Sequence, residues 1–231
     1  MTIKYSLILP CYNEYGNLKL LLPEILKSLS NDNFEIIIVD DNSEDQTISK
    51  LREDFKNENR IKYILRKKDR GLGESIKEGI NKSSGENIVV MDSDCNHRVE
   101  DLKLLINEFN KESLDMICGS RFLKGGSSTT FFRHVSSLIF NTFINIITRG
   151  KLSDNMSGFF IIKKKYLNEK LDKIFYGYGE FYIRLLFFMQ REDIKISEIP
   201  VKYGLRKYGY SKSKLIKMAF KYTIEAIKLL K

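Results

Sequence analysis

At 231 residues, 42% hydrophobic and 30% charged with three prolines, the chain has the composition of one folded domain, which excludes a disordered or fibrous protein. A formal net charge of +9 calls for an anionic partner such as nucleic acid, an acidic membrane surface or a phosphorylated substrate. The longest apolar stretch, 138–147, is broken by Asn141 and Asn145 and falls short of the ~20 residues a membrane-spanning helix needs.

Residues 5–9 (YSLIL) read as the first strand, close to the initiator Met and with no signal sequence ahead of it. A helical pattern at 15–29 follows, then a strand at 35–39 and a helix at 44–56, with Asn42, Ser43 and Glu44 as its N-cap region. The alternation continues through strand 61–65, helix 72–82, strand 87–91, helix 100–111 and strand 115–119. Such alternation implies βαβ units: an α/β, Rossmann-like, mostly parallel sheet with helices on both faces. Beyond Gly119 the rhythm changes, to a polar Gly-rich loop, a helix from 133 to 148, a strand at 157–162 and a helix at 178–192. Residues 194–204 read as a late strand or hairpin edge, and 211–230 as a final amphipathic helix. The domain is expected over 1–210, with 211–231 as a C-terminal helix at its end. Cys11, Cys95 and Cys118 lack C-x-x-C spacing, which implies reduced, packed thiols and a cytoplasmic setting.

Four polar stretches fall at the carboxyl ends of the first four strands: PCYNE (10–14), DDNSEDQT (40–47), RKKDRGLGESIKEG (66–79) and DSDCNH (92–97). Loops at one rim of such a sheet converge, so they form one site. Capping explains any one of them but not all together. Asp92 and Asp94, two residues apart on extended backbone, point to one side, and their charges repel unless a cation or water intervenes. Hard divalent cations, Mg²⁺ or Mn²⁺, favour such carboxylates and take substrate phosphates as further ligands. Paired acids at a strand end also argue against nucleic acid as the partner, despite the positive charge.

LPCYNE, VDDNSEDQT, GLGESIKEGI, VVMDSDCNH, GSRF, DNMSGFF and RKYGYSK occur in this order and spacing. Together they resemble the family 2 glycosyltransferases of GT-A fold, and within them the polyprenyl-phosphate (dolichol-phosphate) mannosyltransferase group. The resemblance implies that Pro10, Tyr12 and Glu14 line the base and ribose pocket, that Asp41 binds the nucleotide, and that Asp40 supports its loop. It implies that Asp92 and Asp94 hold the metal, with Asn96 where the family usually has Gln. Arg121 and Arg206 would face phosphates, Arg133 and Ser137 would join Arg121 at the acceptor phosphate, and Lys212 would close the R-x-x-G-x-S-K segment over the donor. The chain departs from the mannosyltransferase form at FYIR (181–184), so Glu180 and Arg184 receive no catalytic role.

The implied activity is metal-dependent, inverting transfer of a hexose, mannose or glucose, from a GDP- or UDP-linked donor to a polyprenyl phosphate, by a peripheral protein at the cytoplasmic face of a membrane. A soluble transferase with a saccharide hydroxyl acceptor is the main alternative, with Asp154 as its base. A non-catalytic nucleotide- or nucleic-acid-binding module is the alternative of another class. On the last helix Leu215, Met218, Ala219, Tyr222, Ala226 and Leu229 share a side, while Lys214, Lys217, Lys221 and Lys228 form a basic stripe suited to water or anionic headgroups. On helix 133–148 a polar strip (His134, Ser137, Asn141, Asn145, Thr148) lies apart from a wide apolar surface, which a membrane or a second copy of the chain would cover.

Overall fold

The computed structural model describes residues 3–67, 70–209 and 215–230. Seven strands form one sheet: β1 (Tyr5–Cys11), β2 (Phe34–Asp40), β3 (Ile61–Leu65), β4 (Asn87–Val90), β5 (Met116–Ser120), β6 (Phe160–Lys163) and β7 (Ile196–Pro200). Their order is β3-β2-β1-β4-β6-β5-β7, and every neighbouring pair is parallel except the two that β6 makes, with β4 and β5. The late strand is therefore an edge strand parallel to β5, not half of a hairpin. Period-two alternation divides the core. Leu7, Leu9, Ile36 and Ile38 pack under α1 (Tyr15–Ser28) and α4 (Val99–Lys111), while Ile8, Ile37, Val39 and Val90 pack under α3 (Leu72–Lys82) and α7 (Glu180–Met189). Each such buried aliphatic contributes roughly 1.5–3 kcal/mol, enough for both faces to hold the sheet centrally.

The chain leaves β1 toward β2 on one side, while β4 pairs with β1 on the other. Loops after β1 and β4 therefore diverge and open a crevice at the carboxyl ends of the strands. Asn13 and Cys95, one in each loop, adopt left-handed backbone at φ 55° and 67°, a conformation that non-glycine residues hold only when their surroundings impose it. Here Asn13 Oδ1 accepts the Glu44 N–H at 2.8 Å, and Ser93 Oγ donates to the Pro10 carbonyl at 2.8 Å, tying the rims together.

Helix α2 (Thr47–Asp54) starts later than its periodicity suggests. The Ser43 N–H is taken by Asp40 Oδ1 at 2.7 Å and the Thr47 N–H by Asp45 Oδ1 at 2.9 Å, so 41–46 is a side-chain-bonded loop, with Asn42 and Gln46 left-handed. Helix α5 (Phe131–Thr148) turns its polar strip inward. Asn141 and Thr148 are buried, Asn141 Oδ1 accepts the Asn155 N–H at 2.7 Å, and Asn145 Nδ2 donates to the Leu152 carbonyl at 2.8 Å. Its apolar side faces out, with Ile139 66% and Ile146 73% exposed. A short helix α6 (Leu171–Ile174) leads into α7, and the last helix, α8 (Leu215–Lys228), packs on α5 and α7 through Tyr222 and Ala226. The side of α8 expected to be apolar is the buried one; a second apolar stripe, with Phe220 69% exposed, faces outward beside Ile224 and Ile227. Lys214 lies outside the described residues, as do the side chains of Leu215 and Lys217. Among the described residues no helix is long and apolar enough to cross a membrane.

Asp115 joins three strands: it accepts from Lys163 Nζ at 2.8 Å and from the Lys195 N–H at 3.0 Å. Burial pushes its carboxyl up, but these hydrogen bonds outweigh that and hold it down at about 2. A carboxyl depressed by folding stabilises above its unfolded pKa and loses that stabilisation as pH falls through the folded value. Asp115→Asn should therefore flatten the acid limb of stability between about pH 4 and 2, by about 1–2 kcal/mol once solvent screening is allowed for, in denaturant titrations at each pH.

Candidate functional site

The rim loops enclose a cavity of about 380 Å³. Its lining includes Pro10, Tyr12, Glu14, Asp41, Asp92, Asp94, Asn96 and Arg206, all expected there from sequence. Lys212 lies outside the described residues, and so does the side chain of Arg133. Arg121 and Ser137 do not line the cavity.

At the end beside β1 and β2, Asp41 is fixed on two sides. Its Oδ2 accepts the Gly71 N–H at 2.7 Å, and its Oδ1 pairs with the buried Arg66 guanidinium. Burial nevertheless raises the Asp41 carboxyl above its ordinary range. The Arg70 guanidinium stacks 3.9 Å from the Tyr12 ring centroid, and Glu44 accepts from the Tyr12 hydroxyl at 3.0 Å and from Arg70 at 3.3 Å. A planar cation on an aromatic ring at a cleft mouth is a surface onto which a nucleobase can stack. Arg66 and Arg70 received no role from sequence, although both stand in the polar stretch after β3.

The centre holds the acidic pair. Asp94 Oδ1 accepts the Asn96 N–H at 3.0 Å, and its Oδ2 accepts from Asn96 Nδ2 at 2.8 Å and from Arg206 at 2.7 Å. The other fork of Arg206 reaches Glu14 Oε1 at 2.6 Å. A guanidinium thus bridges carboxylates from the β1 and β4 loops, and Asn96 orients Asp94. Among the described residues no guanidinium pairs with Asp92; His97 Nε2 lies 3.8 Å from its Oδ2. Burial among the cleft walls and then the charge of Asp94 raise the Asp92 carboxyl above the ordinary carboxylate range, although 41% of the side chain still meets cleft water. An acid whose charged form is disfavoured by a like charge is stabilised by an added cation.

Beneath it, the buried ring of His97 accepts the Asp92 N–H on Nδ1 at 2.9 Å. A neutral imidazole carries one proton, so Nε2–H donates to the Tyr203 oxygen at 3.1 Å, and the Tyr203 hydroxyl donates onward to the Ser157 carbonyl at 2.8 Å. Burial lowers the His97 pKa to about 4, and its ring stacks on Phe159 at 4.5 Å. His97 therefore acts as a neutral strut under the acidic loop. Sequence reading left it unassigned because its partner lies 106 residues away.

Asp92 and Asp94 supply hard carboxylate oxygens from one loop, which fits Mg²⁺ or Mn²⁺. Among the described residues no group of three or more His, Cys, Asp or Glu side chains could hold a metal, so further ligands would come from water or phosphate.

Away from the cavity, the Arg121 fork closes on Asp154, with Nε to Oδ2 at 2.7 Å and Nη2 to Oδ1 at 2.8 Å, both side chains buried. Bidentate pairing of this kind satisfies both groups. Asp154, the base named for a hydroxyl acceptor, is consumed by the same pair. Ser137 sits half-buried on α5, its carbonyl accepting from Asn141 Nδ2 at 3.2 Å.

A crevice at the β1–β4 switch point, an acidic pair on the loop after β4 and a reversed β6 are the architecture of the GT-A glycosyltransferases. One solved structure of that shape is glucosyl-3-phosphoglycerate synthase from Mycobacterium tuberculosis in complex with Mn²⁺, UDP and phosphoglyceric acid. Its TM-score is 0.74 at 16% identity, over 98% of this chain and 78% of that one, a likeness of fold alone. The chain belongs to glycosyl transferase family 2, whose family model matches residues 6–171. It is 34% identical over 233 residues to the dolichol-phosphate mannosyltransferase of Pyrococcus furiosus, covering 99% of this chain and 64% of that protein. To the dolichol-phosphate mannosyltransferase of Saccharomyces cerevisiae it is 29% identical over 223 residues, 92% of this chain and 82% of that protein.

If Arg206 stands where a metal's charge would otherwise act on Asp94, Arg206→Met should tighten Mn²⁺ binding in the absence of nucleotide by about three- to tenfold. Titration of the free Mn²⁺ signal by electron paramagnetic resonance measures it; weaker Mn²⁺ binding would contradict the competition.

Proposed function

We propose that the chain is a glycosyltransferase that moves a hexose, mannose or glucose, from a UDP- or GDP-linked donor to a polyprenyl phosphate at a membrane surface, using Mg²⁺ or Mn²⁺ and inverting the anomeric centre. The observation that carries this reading is a single cavity that joins the Tyr12–Arg70 stack, Asp41, the acidic pair and Arg206 to an aromatic wall from α7 and α8. Along this line a base would rest on Tyr12 and Arg70, with Asp41 as its hydrogen-bond acceptor. The diphosphate would lie beside Asp92, Asp94 and Arg206, and the sugar would reach toward Tyr178 and Tyr222. The names of the two relatives support a lipid-phosphate acceptor.

A bound divalent ion would neutralise the diphosphate as it departs. The chain's own groups do the positioning. Asn96 orients Asp94, and the His97–Tyr203–Ser157 relay fixes the loop that carries both acids. Arg206 can exchange Asp94 for a phosphate oxygen without leaving Glu14, because its fork already spans the two. A phosphate monoester is anionic at neutral pH and needs no strong base to attack in line, so the absence of Asp154 from the cavity costs this reaction nothing. The same fact weighs against a saccharide hydroxyl acceptor.

Membrane contact is supported by the outward apolar surface of α5 and α8, where Ile139, Phe143, Ile146 and Phe220 lie exposed on packed neighbours with Lys221 and Lys228 at the edge. Exposed apolar area of this kind marks a contact surface, and a lysine rim suits anionic headgroups.

With a panel of UDP- and GDP-sugars, Mg²⁺ or Mn²⁺ and a polyprenyl phosphate, the wild-type chain should form glycolipid, detected by mass spectrometry. Asp94→Asn should lower kcat/KM by about 10²–10³-fold. Transfer to a saccharide hydroxyl and none to the lipid phosphate would overturn the acceptor assignment. In a separate flotation assay, wild-type protein should rise with vesicles containing anionic lipid, whereas the Ile139→Asp/Phe220→Asp double variant should stay at the bottom at unchanged fold by circular dichroism.

A further inference from the structure

The cavity does not end at the rim loops of the sheet. Met218 and Tyr222, both on α8, line it together with Tyr178, Gly179 and Met156. Tyr222 comes so close to the start of α7 that a Cβ added at Gly179 would lie 1.8 Å from its hydroxyl oxygen. Met218, Tyr222 and Glu225 follow one another at helical spacings of four and three, so all lie on one face of α8. Glu225 is held there by a buried group on α7. Arg184, with 2% of its side chain exposed, pairs with Glu225 Oε1 at 2.9 Å, and the Tyr176 hydroxyl donates to the same oxygen at 2.8 Å. Arg184 Nε also donates to the Ile174 carbonyl at 2.8 Å, and its guanidinium lies 3.4 Å from the Tyr176 ring centroid. Burial raises the Glu225 carboxyl, but Tyr176 and Arg184 outweigh it and keep it lowered, hence charged. A buried charge with this many partners cannot slide without leaving one unpaired, so the contact fixes the height of α8 against α7.

We infer that α8 is the acceptor-side wall of the active site, and that Arg184, Glu225 and Tyr176 form a latch that positions Met218 and Tyr222 for the acceptor. The latch touches neither donor nor metal: its members are positioning residues, and their effect reaches the reaction through the wall. The inference rests on the proposed reading in one respect, that the α7–α8 end receives a polyprenyl phosphate while the β1–β2 end receives the nucleotide.

The chain contains no tryptophan, so Met218→Trp places a unique fluorophore in the wall. In the full chain carrying this reporter, farnesyl phosphate should shift the emission saturably. Adding Glu225→Gln, which removes the charge and keeps the shape, should raise the apparent Kd for farnesyl phosphate about tenfold, while the Kd for UDP or GDP, by calorimetry, changes less than about twofold. Should Glu225→Gln fail to fold, Tyr176→Phe removes only the hydroxyl and should move the same Kd about threefold in the same direction. Loss of nucleotide and farnesyl phosphate affinity in parallel, or no change in either, would overturn the latch; a reporter that ignores farnesyl phosphate would overturn the wall. Binding of farnesyl phosphate without transfer from any sugar nucleotide would refute the proposed reaction and leave the wall standing.

Discussion

Asp92 and Asp94 extend from the carboxyl end of β4 into a cleft where partial burial and then the charge of Asp94 make the charge of Asp92 costly. Two carboxylates so placed require positive charge, and the surrounding chain is arranged to supply or admit it. Arg206 arrives from beyond β7 to bridge Asp94 and Glu14. The His97 ring underneath is neutral, with its proton committed to Tyr203, so it supports the loop without neutralising it. The acidic pair keeps a charge deficit that a divalent cation and a diphosphate, arriving together, would resolve.

The fold places that deficit where a ligand can reach it. Strand order puts β1 and β4 side by side with diverging loops, and the hydrogen bond from Ser93 to Pro10 holds the crevice at fixed width. Reversed β6 then inserts between β4 and β5, carrying the segment from Asp154 to Ser157 behind the acidic loop, where Ser157 receives the Tyr203 hydroxyl. The far wall is built by helices outside the sheet, α7 and α8. The same cavity therefore has a polar end set by strand-end loops and an aromatic end set by helix packing.

The alternating elements were legible because β-branched runs and three–four spacing are local signals; Leu72–Lys82 matches its sequence-read bounds at both ends. Reversal of β6 was not legible, since strand direction depends on partners far along the chain. Periodicity found two faces on α5 but not which one the domain takes. Asn141 and Asn145 are drawn inward by backbone groups at 152 and 155, a non-local demand that outweighs the usual burial of apolar residues. At the site, residues tied to a local motif (Tyr12, Asp41, Asp94, Arg206) converge as the motifs suggest. Arg121 lies off the cavity, its fork closed on Asp154, 33 residues away, the acid named as base only for the hydroxyl-acceptor alternative. Arg66 carried a signal that could have been used: a basic residue leaving β3 beside the paired acids that end β2.

The account turns on the acidic pair as the place where a divalent cation meets a nucleotide diphosphate. Crystals grown with Mn²⁺ and a nucleotide diphosphate and measured at the manganese absorption edge test this directly. An anomalous peak within coordinating distance of the Asp92 and Asp94 carboxylates and the diphosphate oxygens, with Arg206 turned from Asp94 toward phosphate, is the predicted result. No peak at the pair, with Arg206 still bridging Glu14 and Asp94 and the nucleotide bound elsewhere, would contradict it.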